Sequence, residues 1–276
     1  MNRKIIFLDI DGTFIGMGQT EPPVSAVEAV RRARENGHLV YLCTGRNYGM
    51  LSPMLQYGFD GVIANAGGYI LCGEELIYNC PMEEELRERT VRILGEHGVA
   101  RMLEGLDAAY VDPSVSDFME REAPEGGSSE LKRWKEAMAQ EMNLRPIAEY
   151  AGEPLYKIVI MCQDGEQMMR AYEPLQEDFL LCLQDFTKNG FANGELINRR
   201  FDKGQAVRRV CGHLGVAVAD TFGFGDSMND KEMIETAGVG LCMADGNAKL
   251  REIADDICPP AVEDGLYKMF EKYGLI

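Results

Sequence analysis

The sequence predicts an α/β protein: a doubly wound, largely parallel sheet built from the two ends of the chain, with a second α+β domain inserted between them. Three observations carry this reading. Residues 5–8, Ile-Ile-Phe-Leu, form an unbroken apolar run of the kind found in strands buried on both faces of a parallel sheet. Short apolar runs alternate with amphipathic helical stretches over both ends of the chain, the rhythm of successive βαβ units. Between about residues 83 and 190 that rhythm gives way to a different mixture of helices and strands. The expected domains are therefore residues 1–82 plus 191–276 for the core and 83–190 for the insertion.

Each element has its own justification. Pro22 and Pro23 precede a helix that ends at Asn36-Gly37, where Gly suits a left-handed cap. Ala26, Val27, Ala29, Val30 and Ala33 form its inward stripe, while Arg31, Arg32, Arg34 and Glu35 face water. Residues 39–43 are a second buried strand, so the chain opens on a βαβ unit with the right-handed crossover expected. A third apolar stretch, 62–64, ends in Asn65-Ala66-Gly67-Gly68, and short alternating pieces at 69–71 and 76–78 read as a hairpin. The insertion is expected to hold helices at 84–97, 129–142 and 166–176 and strands at 156–162 and 179–183, with a polar loop at 122–129. Trp134 and Met138, Met142, Met161, Met168 and Met169 are expected in its core. The core rhythm resumes at 195–198 and continues through a helix from Asp202-Lys203 to Leu214, a strand at 221–224, a helix to Ala237, a strand at 239–243, a helix near 248–254 and a last helix at 265–273.

Composition bounds the function. A chain of 276 residues that is 46% hydrophobic and 26% charged is an ordinary globular protein able to bury a full core. A formal net charge of −17 argues against nucleic acid and anionic membranes as partners. It leaves room for a small phosphorylated metabolite, because a metal and a lysine can reverse the field locally. The eight cysteines include Cys43, Cys162, Cys182, Cys211 and Cys242 in apolar runs, and none forms a C-x-x-C pair, so buried free thiols in a reducing compartment are expected. The apolar run before Asp9 is too short for a signal peptide, and no window approaches the roughly 18 apolar residues of a membrane helix. The expected location is the cytoplasm. Oligomeric state leaves no signal.

The chemistry gathers at strand ends. After residue 8 the chain turns polar as Asp9-Ile10-Asp11-Gly12-Thr13, and alternation puts Asp9 and Asp11 on the same side. Two carboxylates at the end of a buried strand need compensation, and a hard divalent cation such as Mg²⁺ prefers oxygen ligands. Gly12 allows a sharp exit. A polar strand-to-loop turn that happens to carry two Asp is the plainer alternative for this stretch alone. The second strand ends in Thr44-Gly45-Arg46, the later helix starts at Lys203, and the strand at 221–224 runs into Gly225-Asp226-Ser227-Met228-Asn229-Asp230. Ligand sites of open α/β sheets lie outside the carboxyl ends of the strands. Thr44 also fits a plain strand-end residue, and Arg46 could reach a phosphate or pair with an acidic neighbour. Lys203 is mildly unfavourable at a helix N-terminus, a hint of another task. His38, His97 and His213 lie away from these stretches and read as surface or packing residues.

Taken in order, with the long insertion between the second and third, these stretches resemble the motifs of the haloacid dehalogenase-like hydrolases, whose signature is Asp-x-Asp-Gly-Thr after an apolar strand. The likeness is greatest to the Cof-type sugar-phosphatase branch (subclass IIB), with an α/β cap between its second and third motifs. The Asn65-Ala66-Gly67-Gly68 turn departs from the Asn-Gly-Ala usual in those relatives.

The resemblance implies a Mg²⁺-dependent phosphatase acting on a sugar phosphate or related metabolite, with the cap setting specificity. Asp9 would be the nucleophile, forming an aspartyl-phosphate, and Asp11 the general acid and base. Thr44 would donate to the phosphoryl oxygens and Lys203 would supply positive charge beside Asp9. Gly12, Gly45, Arg46 and Asn229 would contact the phosphate or substrate. Asp9, the Asp11 carbonyl and Asp226 would hold the metal, and Asn229 and Asp230 would orient or join that shell. A phosphomutase using the same intermediate is one alternative. A catalytically silent phosphometabolite sensor is another, although such a sensor should have lost one of Asp9, Asp11, Lys203 or Asp226, and all are present.

Overall fold

The computed structural model, which describes residues 3–115, 143–186 and 191–276, places the first apolar run in the middle of an eight-stranded sheet. β1 (Ile5–Leu8) lies parallel to β2 (Leu39–Cys43) on one side and to β12 (Thr221–Gly225) on the other. β3 (Gly61–Ala64) extends the parallel set beyond β2, and β13 (Val239–Met243) and β14 (Asp256–Cys258) extend it beyond β12. The hairpin expected after β3 is present as β4 (Tyr69–Cys72) and β5 (Glu75–Asn79), which add antiparallel strands at that edge.

All four residues of β1 are 0% exposed, as a strand covered on both faces requires. On one face Ile5, Phe7, Tyr41 and Cys43 pack with Ala206, Val207 and Val210 of helix α5 (Lys203–Leu214) and with Met233 and Ile234 of α6 (Lys231–Thr236). On the other, the Phe224 ring meets Phe270 of α8 (Gly265–Lys272) at 5.5 Å, and α1 (Val24–Glu35) packs beside α8 through the stripe Ala26, Ala29, Val30 and Ala33. Two shorter helices are α2 (Ser52–Leu55), which buries Met54, and α7 (Ala248–Ile253), which buries Leu250 against the first of these faces.

The chain divides into two compact units: one of the chain up to Arg46 with Leu51–Asn79 and Phe201–Ile276, the other of Asn47–Met50 and Cys80–Arg200. The second unit contains a six-stranded sheet ordered β10-β11-β9-β6-β7-β8, formed by β6 (Ala100–Glu104), β7 (Ala109–Val111), β8 (Leu144–Pro146), β9 (Lys157–Cys162), β10 (Phe179–Phe186) and β11 (Ala192–Asn198). Its pairings are antiparallel except β7 with β8. Leu103, Ile158, Ile160 and Leu196 point to one face, where α3 (Glu84–Glu96) and α4 (Gly165–Tyr172) cover them with Ile93, Leu94 and Met168. Met102, Ala109, Val159 and Met161 line the other, with Met50 and Val115.

The segment 191–198, read from sequence as the return of the core, is instead β11, laddered between β10 and β9 in this second sheet. The unit boundary accordingly falls near residues 80 and 200 rather than 83 and 190. A short alternating strand carries no local mark of which sheet it joins; Leu196 is 0% exposed because it completes the second core. Met161 and Met168 are buried as expected, whereas Met169 is 54% exposed on the outer side of α4. The expected helix at 129–142, the loop at 122–129 and Trp134, Met138 and Met142 lie outside the described residues. None of the described cysteines is in a disulfide, with Cys43, Cys162, Cys211 and Cys242 buried and Cys182 half-buried.

Candidate active site

The predicted site residues all lie in the first unit, at strand ends or a helix start: Asp9 and Asp11 follow β1, Thr44, Gly45 and Arg46 follow β2, Lys203 opens α5, and Asp226, Asn229 and Asp230 follow β12. Parallel register aligns these strand ends, since Leu8 stands level with Leu42 and with Phe224. The Asp9 amide extends the ladder by donating to Phe224 O at 3.0 Å.

Lys203 is the hub. Its side chain is 0% exposed, and Nζ donates to Asp9 Oδ1 at 2.7 Å and to Asp230 Oδ1 at 2.5 Å. The Asp202 side chain caps the helix by accepting from the Gln205 amide at 2.6 Å, which fixes the turn that carries Lys203. Two carboxylates explain why a lysine is tolerated at a helix N-terminus. Burial pulls the Lys203 ammonium down, but Asp230 and Asp9 outweigh it and hold the group well above the usual lysine range.

Asp230 is committed on both oxygens. Oδ1 accepts from Lys203, and Oδ2 accepts the amides of Asp226 at 3.0 Å and Ser227 at 3.2 Å, closing a capping box with Ser227. Ser227 Oγ in turn donates to Asn229 Oδ1 at 2.7 Å. Ser227 escaped the sequence reading; its signal was the Ser-x-x-Asp spacing.

Asp9, Asp226 and Asp230 each present a carboxylate oxygen, and these atoms lie within 4.8 Å of one another. Burial, then the Asp230 charge, push the Asp9 carboxyl up to about 8; Lys203 pulls it down, and Asp11 pushes it further up. This all-oxygen donor set fits a hard divalent cation, and the packing leaves no room for bulk beside it. Gly12 has φ +86, and a Cβ there would sit 2.5 Å from Asp226 Oδ2.

Arg46 is buried and forks onto the second aspartate: Nε donates to Asp11 Oδ2 at 3.0 Å and Nη2 to Oδ1 at 2.6 Å. Of the two readings for Arg46, the structure favours the acidic neighbour, here inside the site and not at the surface. Thr44 is 1% exposed, and its Oγ1 accepts the Arg46 amide at 3.1 Å. The turn of residues 44–46 is bound to the loop after β3, with Asn65 N donating to Arg46 O at 2.8 Å and Ala66 N to Thr44 O at 3.0 Å. That loop is strained: Asn65 and Ala66 have φ of 49° and 56°, a conformation that costs on the order of 1–3 kcal/mol per residue without Gly. The departure from Asn-Gly-Ala thus puts an alanine where left-handed backbone is required. His38 is packed away from the site, its Nδ1 accepting the Lys4 amide.

Comparison with known proteins agrees with this geometry. The model of the family described as haloacid dehalogenase-like hydrolase matches residues 6–270. The chain is 28% identical to the protein YkrA of Bacillus subtilis over 281 residues, covering 100% of both. It is 26% identical to the 5-amino-6-(5-phospho-D-ribitylamino)uracil phosphatase YwtE of Bacillus subtilis, covering 95% of each. Among solved structures, a haloacid dehalogenase-like hydrolase from B. subtilis superposes with a TM-score of 0.81 at 23% identity, over 97% of this chain and 99% of that one. The subclass IIB sugar phosphatase BT4131 superposes with a TM-score of 0.75 at 22% identity, over 99% of this chain and 100% of that one. The chain belongs to the haloacid dehalogenase-like hydrolases, an enzyme built on the fold of their phosphatases.

Proposed function

We propose that this enzyme is a Mg²⁺-dependent phosphatase that hydrolyses a small phosphomonoester through an aspartyl-phosphate on Asp9. The observation that carries the reading is the Lys203 hub, which holds Asp9 among acidic groups at the mouth of the parallel sheet. Relatives named as phosphatases, one for a phosphoribitylamino-uracil, support the substrate class.

Asp9 attacks phosphorus, so that a carboxylate oxygen–phosphorus bond forms as the ester oxygen–phosphorus bond breaks. Asp11 gives its proton to the departing alkoxide. Asp11 then takes a proton from water, which attacks the acyl phosphate at phosphorus and returns Asp9 as carboxylate with inorganic phosphate released. Arg46 fixes the orientation of the Asp11 carboxyl, and Lys203 fixes that of Asp9. The Thr44 hydroxyl and the backbone around Gly12 and Gly45 face the charge that spreads over the equatorial oxygens, joined by Asn229. Asp9, the Asp11 carbonyl and Asp226 would hold Mg²⁺, with Asp230 tethering both Lys203 and the Asp226 loop. When bound, the ion supplies the positive charge that lets an anionic nucleophile approach a dianionic ester.

Because the catalytic residues all belong to the first unit, selection among leaving groups falls to the inserted unit, residues 80–200. Asp9→Asn tests the core of the proposal. The variant should keep the circular dichroism of the wild type, release no phosphate from p-nitrophenyl phosphate with Mg²⁺, and fail to bind beryllium fluoride, which mimics the aspartyl-phosphate. Full turnover in Asp9→Asn rejects the mechanism.

A further inference from the structure

Asp226 is held by more than its own loop. Gly225 of β12 stands level with Cys242 of β13, so the chain leaving β13 at Met243 passes directly beside Asp226. That turn, Ala244-Asp245-Gly246-Asn247, carries none of the residues assigned to the reaction. Its backbone nevertheless meets Asp226. The Asn247 amide donates to Asp226 O at 2.7 Å. Gly246 lies so close that a Cβ there would stand 2.6 Å from Asp226 O and 3.0 Å from Asp226 Cα.

The turn is anchored in its own right. Gly246 N donates to Met243 O at 3.0 Å and Ala244 N to Cys258 O of β14 at 2.8 Å, while the Arg251 guanidinium donates to Ala244 O. Asn247 caps α7, its Oδ1 accepting the Lys249 amide at 2.9 Å. From the other side, the Asp226 amide donates to Asp230 Oδ2 at 3.0 Å. Two different loops thus fix the backbone of Asp226, Asp230 taking its N–H and Asn247 its C=O. Peptide groups are planar, so fixing the one before and the one after a Cα fixes the direction in which its side chain leaves. Mg²⁺ demands near-ideal octahedral geometry, and a ligand held in this way keeps its oxygen in place.

We propose that the turn Gly246-Asn247 is a positioning element for Asp226. Through the Asp226 backbone it sets the reach of that carboxylate toward the divalent cation. This rests on the Mg²⁺-dependent reading above and adds to it a loop at the end of a strand that supplies no group to the chemistry. Gly246 supplies the close approach, and Asn247 the hydrogen bond.

Three variants test it. Asn247→Pro exchanges the amide hydrogen for a ring carbon facing Asp226 O, and it suits the local backbone because Asn247 has a φ of −62°, the value proline imposes. It also loses the cap on α7, so Asn247→Ala, which loses the cap and keeps the amide, is its reference. Gly246→Ala drives a methyl against the Asp226 carbonyl. Melting temperature is followed against Mg²⁺ concentration without substrate, beside the Mg²⁺ dependence of phosphate release from p-nitrophenyl phosphate. In both titrations the midpoint should rise at least about fivefold in Asn247→Pro over Asn247→Ala, and at least about fivefold in Gly246→Ala over the wild type. A smaller rise in either comparison, even with a lowered metal-free melting temperature, marks a merely structural turn and overturns the inference. If Gly246→Ala fails to fold, the Asn247 pair decides alone. A wild type whose melting and rate both ignore Mg²⁺ rejects the metal reading, and the inference falls with it. A wild type that responds while the variants match their references rejects the positioning role alone.

Discussion

Two lysines of this molecule are buried between pairs of carboxylates, and the two sites differ in how the backbone delivers the charges. Lys203 meets Asp9 and Asp230 at the ends of parallel strands, where each acid sits on a loop and Asp230 is further held by two backbone amides. Lys157 meets Glu195 and Glu104 on a sheet face, where register alone sets the spacing. Loops can converge, so the first site gathers a further carboxylate, Asp226, and burial, then the Asp230 charge, push Asp9 up to about 8. A strand face cannot converge in this way. The acidic cluster at the first site fits the hard divalent cation proposed for it.

The sharpest way to break this contrast is to remove each lysine. Lys203→Met should lower kcat on p-nitrophenyl phosphate by roughly a thousandfold or more, because it withdraws the fixed charge beside the nucleophile. Lys157→Met should act on stability instead, lowering it by about 3–5 kcal/mol as two buried carboxylates lose their partner. Steady-state kinetics and urea unfolding of both variants check the pair. If Lys157→Met lost activity while Lys203→Met only unfolded more easily, the roles would be reversed.

A smaller effect is expected from Asp226→Ala. The Mg²⁺ concentration for half-maximal activity should rise at least about tenfold. The melting temperature without metal should hold or rise, since a buried carboxylate has left a crowded acidic group. Magnesium titrations of rate and of melting measure both. Unchanged values in the two titrations would make Asp226 purely structural.

The smallest effect is on pH dependence. The folded chain holds a proton on Asp9 up to about 8, whereas the ordinary value is 3.8. Between those values the folded state binds a proton that the unfolded chain has released. The stability this group contributes is therefore complete below the ordinary value and is lost as pH rises through about 8. In chelator the melting temperature should fall between about pH 4 and 8 and level off above, and Mg²⁺ should raise it most at the upper end, where the carboxylate is ionised. A flat profile in chelator, with the same Mg²⁺ shift at every pH, would place Asp9 outside the metal group.

The sequence by itself determined the strand at residues 5–8, the βαβ opening and the set Asp9, Asp11, Thr44, Lys203, Asp226 and Asp230, because each is written in a few consecutive residues. A continuous apolar run has one stable home, between two helical layers, and polar residues at its end mark the sheet's mouth. Partnerships between distant residues were decided only by the tertiary structure. Arg46 had two chemically sound uses, and its hydrogen bonds to Asp11, 35 residues earlier, are made by neighbouring strand ends brought level. Asp230 looked like one more acid until both its oxygens met donors from Lys203 and from its own loop. Residues 191–198 joined the second sheet because β9 and β10 offered the matching ladder and a core for Leu196. Local sequence encodes what a residue can bond to, and which of those bonds forms depends on the elements the fold brings within reach.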